Sequence, residues 1–238
     1  MAGVVRELKV SIEEVFQQFL ADQRERLRPK TFSKYRDIIE LFTHCLNEYA
    51  SSGLAAAERK RFDQAYRAKG QAHREFCQLF GPEHILGNLG EFLNYFMIRK
   101  VMAGTELLQA AGTVTKRLAK WLSERGYVDE AYAAAAAEGS GTAAAVLPRL
   151  RVLADRLQEY AAGTAVRGAE QRVEGHFRLV RTEVVRVWVE DQGGAEYGPI
   201  PLPADIIGRW RVGWSVSGAL VNGRQGWRFA EAWNGYPY

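Results

Sequence analysis

"LRPKTFSKYRDIIELFTHCL", residues 27–46, sets the plan of the chain. A helix arriving from upstream stops here, because the residue before a proline is pushed out of the α region. Pro29 suits the first turn of a new helix, where its missing N–H is no loss. From there Phe32, Tyr35, Ile38, Ile39, Phe42, Leu46 and Tyr49 recur at helical spacing on one side, and Gly53 lies at or just beyond the end. Upstream, residues 11–27 predict another helix. Ser11 and Glu14 have the N-cap and N3 spacing of a capping box, and Ile12, Val15, Phe16, Phe19 and Leu20 share one face.

Further helices follow on the same signals. Residues 54–80 carry Phe62, Tyr66, Phe76 and Leu79, with Gly70 as an interruption; "GPEH" (81–84) is a turn. A helix is expected from about 89 to 102, with Asn88 and Glu91 at N-cap and N3 spacing and with Arg99 and Lys100 suiting the dipole of its last turn. "TELLQAA" predicts a short helix stopped by Gly112, and Thr113 caps the next, which runs to about Arg125. In "TVTKRLAKWLSERGYV" (113–128), Val114, Leu118, Trp121 and Leu122 fall within a sector of ~100°. Lys116, Arg117 and Lys120 fall opposite. The exposed face is then wholly basic and beside a helix N-terminus, an arrangement that suits phosphates; the plain alternative is a solvated lysine face.

Residues 129–145, "DEAYAAAAAEGSGTAAA", read as a partly helical linker broken at Gly139-Ser140-Gly141. An amphipathic helix spans 146–162. After about 172 the period changes to two: "HFRLVRTEVVRVWVED" predicts one long strand or two shorter ones, and strands on either side of Asn222-Gly223 suggest a hairpin turn there. The expected fold class is α+β: an N-terminal helical bundle over 1–128, a linker and helix over 129–171, and a small, barrel-like antiparallel β-domain over 172–238. Such a sheet needs closure, or packing on the 146–162 helix, to be stable. Trp188, Trp210, Trp214, Trp227 and Trp233, five of the six tryptophans, fall in it. Most are expected in the core, with one or two as surface platforms for bases or a peptide.

Composition is that of a globular chain: 47% hydrophobic and 25% charged among 238 residues. No apolar run approaches the ~20 residues of a membrane span, so no membrane partner is expected. Glu13 and Glu14 interrupt the place where a signal peptide needs an apolar core, which implies a cytoplasmic location. Cys45 and Cys77 sit in helical patterns and read as buried thiols. The net charge of +4 is unevenly spread: residues 1–128 hold 20 Lys and Arg against 15 Asp and Glu. A basic half suggests an anionic partner, nucleic acid first.

Residues 11–128 resemble the SAM-like N-terminal core-binding domain of tyrosine recombinases, the phage integrases, in "VFQQFLADQRERLRPKTFSKYRDIIELFTHCLNEY", "EFLNYFMIRK" and "TVTKRLAKWLSERGYV". In that family a compact helical domain clamps one side of the DNA duplex. The resemblance implies double-stranded DNA as partner, and Lys30, Thr31, Lys34, Arg99, Lys100, Lys116, Arg117 and Lys120 as contacts; Thr31 and Tyr35 stand at the family's "T-x-x-x-Y" helix start. The stretch 54–84 is longer than the family carries there. The family's catalytic domain, with its arginine, lysine, His-x-x-Arg pair and attacking tyrosine, has no counterpart. After His84 the only histidine is His176, without an arginine three residues on, and Tyr236 and Tyr238 lack activating cations in the sequence. There is no phosphate-binding glycine loop and no zinc spacing; the chain is expected to need no cofactor and to be no enzyme. The favoured function is a non-catalytic DNA grip through phosphates, and its rival is a protein-interaction scaffold whose Trp-rich β-domain holds a peptide or protein; a third alternative is an enzyme whose site is assembled from tertiary contacts that the sequence does not display. Carboxylates that neutralise the basic residues would favour the scaffold.

Overall fold

The structure, a computed structural model, describes residues 10–163 and 171–237; Tyr238 lies outside them. The chain is α+β, helical as far as Gly163 and followed by a five-stranded antiparallel sheet. It divides into two compact units, Met1–Met97 with Ala110–Ala143, and Ile98–Gln109 with Ala144–Tyr238. This differs from the division expected at 128 and 171. Two helices with sequence signals for an interruption are continuous, and each has residues in both units.

In the first unit, α1 (Ile12–Arg26) begins with the expected capping box: Glu14 N donates to Ser11 Oγ at 3.2 Å and Ser11 N donates to the Glu14 carboxylate at 2.8 Å. Leu27 and Arg28 are extended, and α2 (Pro29–Tyr49) starts on its proline. α3 (Ala56–Arg67) is followed by a break at Gly70, whose φ of 61° is left-handed, and by the short α4 (Phe76–Leu79). Next come α5 (Leu89–Glu91), a π-helical turn over Phe92–Phe96 and α6 (Met97–Arg99), whose Ile98 and Arg99 already belong to the second unit. Asn88 does not cap α5. Its amide instead reaches back and donates to His84 O at 2.7 Å. The core is aromatic: Phe42 meets Phe16 at 5.7 Å and Phe92 at 4.7 Å, and Trp121 meets Phe19 edge-on at 5.4 Å. Cys45 and Cys77 are buried and free, and burial pushes the Cys45 thiol up to about 12.

α7 (Thr105–Glu124) passes through Gly112 without stopping, so Thr113 is no cap. A mid-helix glycine costs ~1 kcal/mol, and the buried Ala111, Val114 and Leu118 around it outweigh that. α8 (Glu130–Gly163) is one helix of 34 residues, so the break expected at Gly139–Gly141 is absent. Alanines supply its propensity, Ser140 is buried, and Gly141 makes room for a neighbour: a Cβ there would stand 3.2 Å from Lys116 Nζ.

In the second unit the sheet order is β3-β2-β1-β4-β5, from β1 (Gln171–Glu183), β2 (Arg186–Glu190), β3 (Glu196–Pro201), β4 (Ser215–Gly223) and β5 (Gly226–Tyr236); α9 (Ala204–Ile207) lies between β3 and β4. The β4–β5 turn is Arg224-Gln225, not Asn222-Gly223. Asn222 pairs with Trp227, and Gly226 takes the left-handed conformation at φ 81°. The sheet is not closed into a barrel. Its edge strands β3 and β5 meet through rings, with Tyr197 and Trp227 4.9 Å apart. Stability comes instead from the C-terminal half of α8. Gln158 accepts from Ala232 N at 2.8 Å, and Gly235 lies so close to Leu150 that a Cβ would stand 2.8 Å from its carbonyl oxygen. Trp210 and Trp214 are buried, Trp188 lies under the Arg181 guanidinium, and Trp233 is exposed. Among the described residues, no helix is long and apolar enough to cross a membrane.

Candidate functional site

The basic groups of the first unit are positioned by the same helices that build its core. α7 buries Val114, Leu118, Trp121 and Leu122. Trp121 Nε1 donates to Asp22 at 2.7 Å, which ties α7 to α1. Lys116, Arg117 and Lys120 therefore do stand on the opposite side, but they do not form a free three-cation face. Arg117 donates to both oxygens of Glu124, at 2.8 and 3.0 Å, from seven residues away. That hydrogen bonding holds the Glu124 carboxyl below its usual range. Residues seven apart lie two turns along the same face, so a basic face and its neutralising carboxylate share one helix. Lys116 lies across Gly141. The helix N-terminus expected beside the trio is more than two turns away, because α7 starts at Thr105.

Lys30 and Thr31 are exposed in the first turn of α2, and Lys34 is half-buried one turn on. Tyr35 stacks on Phe19 at 6.0 Å, and burial raises its hydroxyl pKa. It is a packing residue here. A second ion pair, Arg125 with Asp22, neutralises another cation. Asp22 is held below its usual range first by the Trp121 hydrogen bond and then by Arg125.

What remains is a basic corner where α1 passes into α2. Arg24, Arg26, Arg28 and Lys30 are all exposed. No ion pair or side-chain hydrogen bond holds any of them among the described residues, and the same is true of Lys120 on α7. Arg26, Arg117 and Lys120 all act electrostatically on Glu124, so α1 and α7 bring their cations to one place. Sequence reasoning missed Arg24, Arg26 and Arg28. The alternating "RERLRPK" is the available signal, and it reads equally well as an ordinary helix end.

Arg99 and Lys100 belong to the second unit. Arg99 Nε donates to Tyr236 Oη at 2.8 Å, and its Nη2 to His176 Nε2 at 2.6 Å. A guanidinium only donates, so His176 accepts at Nε2 and carries its proton on Nδ1. Burial first, and the Arg99 charge second, lower the His176 pKa. Tyr236 thus has a cationic neighbour that the sequence did not reveal, and it is only 3% exposed.

Comparison with family models, with characterised proteins and with solved structures gives no match. The likeness to integrase arms therefore stands on the residues alone.

Proposed function

We propose that the first unit binds duplex DNA through its phosphates and performs no chemistry on it. The observation that carries this reading is the basic corner: Arg24, Arg26, Arg28 and Lys30 are exposed and held by no ion pair or side-chain hydrogen bond among the described residues, and Arg26 and Lys120 both act electrostatically on Glu124, which places α7's cation near α1's. Unpaired, solvated cations on two adjoining helix ends release counterions when they meet a polyanion. Binding of that kind is strongly salt-dependent and only weakly selective for sequence. The grip attributed to integrase arms fits this placement, with the DNA-facing residues moved from Arg117 toward the α1–α2 corner. A scaffold is the second reading, favoured by the Arg117–Glu124 and Arg125–Asp22 pairs, which remove two cations from the same surroundings.

Fluorescence anisotropy with a duplex of about 20 base pairs, over a range of salt, tests the reading. The full chain should bind, with log K falling linearly in log salt. The Arg26→Gln/Arg28→Gln/Lys30→Gln/Lys120→Gln variant should bind more weakly on every sequence, with the slope reduced by about 0.9 for each phosphate that the variant no longer neutralises. Failure of the parent chain to bind at ~50 mM salt, where phosphate binding is strong, would leave the scaffold as the better account.

A further inference from the structure

A cavity of about 470 Å³ opens in the second unit between α8 and the segment that joins α9 to β4. Arg149 reaches it from α8, and Arg209 and Arg211 from the joining segment. Among the described residues, no Asp or Glu lines it. None of the three arginines forms an ion pair or a side-chain hydrogen bond among the described residues. The remaining wall is partly apolar, from Trp214, Val152 and Pro148.

The local fold holds these groups in place. Gly208 N donates to Ala204 O at 2.9 Å, and Trp210 N to Ile207 O at 3.1 Å. Trp214 O accepts from both Leu179 N at 2.9 Å and Trp210 Nε1 at 3.0 Å. The buried Trp210 nails the segment to the sheet. Arg209 and Arg211, one residue to either side of it, are left exposed. The Arg211 guanidinium lies 5.5 Å from the centre of the Trp214 ring. On α8, Leu147 and Leu150 are buried while Arg149 faces out. Three like charges are thus brought to one concavity by an ordered backbone, and among the described residues no carboxylate in its wall relieves their repulsion. An anion would relieve it.

We propose that this cavity binds a small phosphorylated molecule of about nucleoside diphosphate size. Each guanidinium presents a planar fork that takes two oxygens at once. A single carboxylate has too few oxygens for three forks, whereas a diphosphate group has enough. The volume falls within the roughly 300–1,000 Å³ of small-molecule sites. The Trp214, Val152 and Pro148 wall receives the organic part. The inference is independent of DNA binding by the first unit, because it uses other residues.

Isothermal titration calorimetry of the full chain at about 0.15 M salt is the test, with inorganic pyrophosphate and ADP as probes and adenosine and citrate as controls. Pyrophosphate and ADP should bind one to one, adenosine should not bind, and citrate should bind at least about tenfold more weakly. Removal of one charge-assisted hydrogen bond corresponds to roughly 10- to 100-fold in affinity. Arg149→Gln, Arg209→Gln and Arg211→Gln should each weaken ADP by that order, and the triple variant should abolish binding while keeping the parent's circular dichroism. If the triple variant does not fold, the single exposed substitutions decide. The Arg26→Gln/Lys30→Gln/Lys120→Gln variant should bind ADP as the parent does. The proposal is overturned if pyrophosphate does not bind, if citrate binds equally, if the Gln variants keep full affinity, or if the first-unit variant loses it. A short oligonucleotide that binds more tightly than ADP and fails to bind the triple Gln variant would overturn the small-molecule assignment as well.

Discussion

Lys116, Arg117 and Lys120 stand within five residues on α7, whereas Arg149, Arg209 and Arg211 lie on two separate segments of the chain; the clustered set has one member, Arg117, held by a carboxylate, and the scattered set has none among the described residues. On α7, Arg117 is held by Glu124 and Lys116 lies across Gly141. Around the cavity of the second unit, three arginines line a wall that holds no acidic residue among the described ones. A cation is available to a ligand only when the fold has not already supplied its counter-charge. Sequence proximity says little about that, because a helix brings carboxylates to the same face as readily as lysines.

The largest expected effect tests how firmly the paired cations of the first unit are fixed to its core. Trp121→Ala removes a buried indole and the donor to Asp22, and should cost about 3–5 kcal/mol by urea denaturation. Arg125 should then lose its fixed partner. A loss below about 1 kcal/mol would mean that the packing of α7 on α1 is loose and that its cations are as free as those of the cavity.

Gly235→Val addresses the other side of the contrast. Even an alanine Cβ would meet the Leu150 carbonyl oxygen at 2.8 Å and Leu150 Cβ at 3.0 Å. The wedge should cost about 1–3 kcal/mol. Arg149 precedes Leu150 directly on α8, so pyrophosphate affinity should fall as well. Full affinity in a destabilised variant would show that the three arginines need no such registration.

Arg117→Ala and Lys120→Ala should differ in a smaller measure. Removing Arg117 strands Glu124 and should cost up to about 1 kcal/mol, the range of exposed pairs. Removing Lys120 should stay within ~0.5 kcal/mol. DNA affinity should respond in the reverse order, more to Lys120 than to Arg117. Equal effects on both readouts would erase the distinction between paired and free cations.

The smallest effect is a pair of opposite pH slopes. His176 in the second unit has its pKa lowered from 6.5 by burial and by Arg99. The unfolded chain then binds more protons, so the contribution of His176 is intact above the unfolded value and is lost as pH falls below it. His73 in the first unit is raised from 6.5, chiefly by its hydrogen bond to Glu75 and also by the Tyr66 carbonyl. Its contribution is present below the unfolded value and lost as pH rises through the folded one. Between about pH 5 and 8, where only histidines titrate at their ordinary values, His176→Gln should flatten the acid-side loss and His73→Gln the alkaline-side loss. Melting curves across that window check both signs.

Local rules make much of the fold legible. The capping box at Ser11 and Glu14, the start of α2 at Pro29, the apolar faces of α1, α2 and α7 and the strand period after about 172 depend on neighbours within a turn or a pleat, and the structure has each of them. Helix breaks are less legible. Gly112 and Gly139–Gly141 have poor helix propensity, but packing of Val114, Leu118 and Ser140 carries both helices through. The hairpin turn lies two residues beyond Asn222-Gly223 because pairing along the whole of β4 and β5 sets the register, and Gly226 is a second residue able to adopt a positive φ. The lesson is sharpest at the polar faces. Periodicity tells which side of a helix is buried; it does not tell what the other side meets. The Arg117–Glu124 pair, the Arg99–His176–Tyr236 cluster and the three-arginine cavity each join side chains whose encounter depends on where backbone segments come to rest, and only the folded chain brings them within reach of one another.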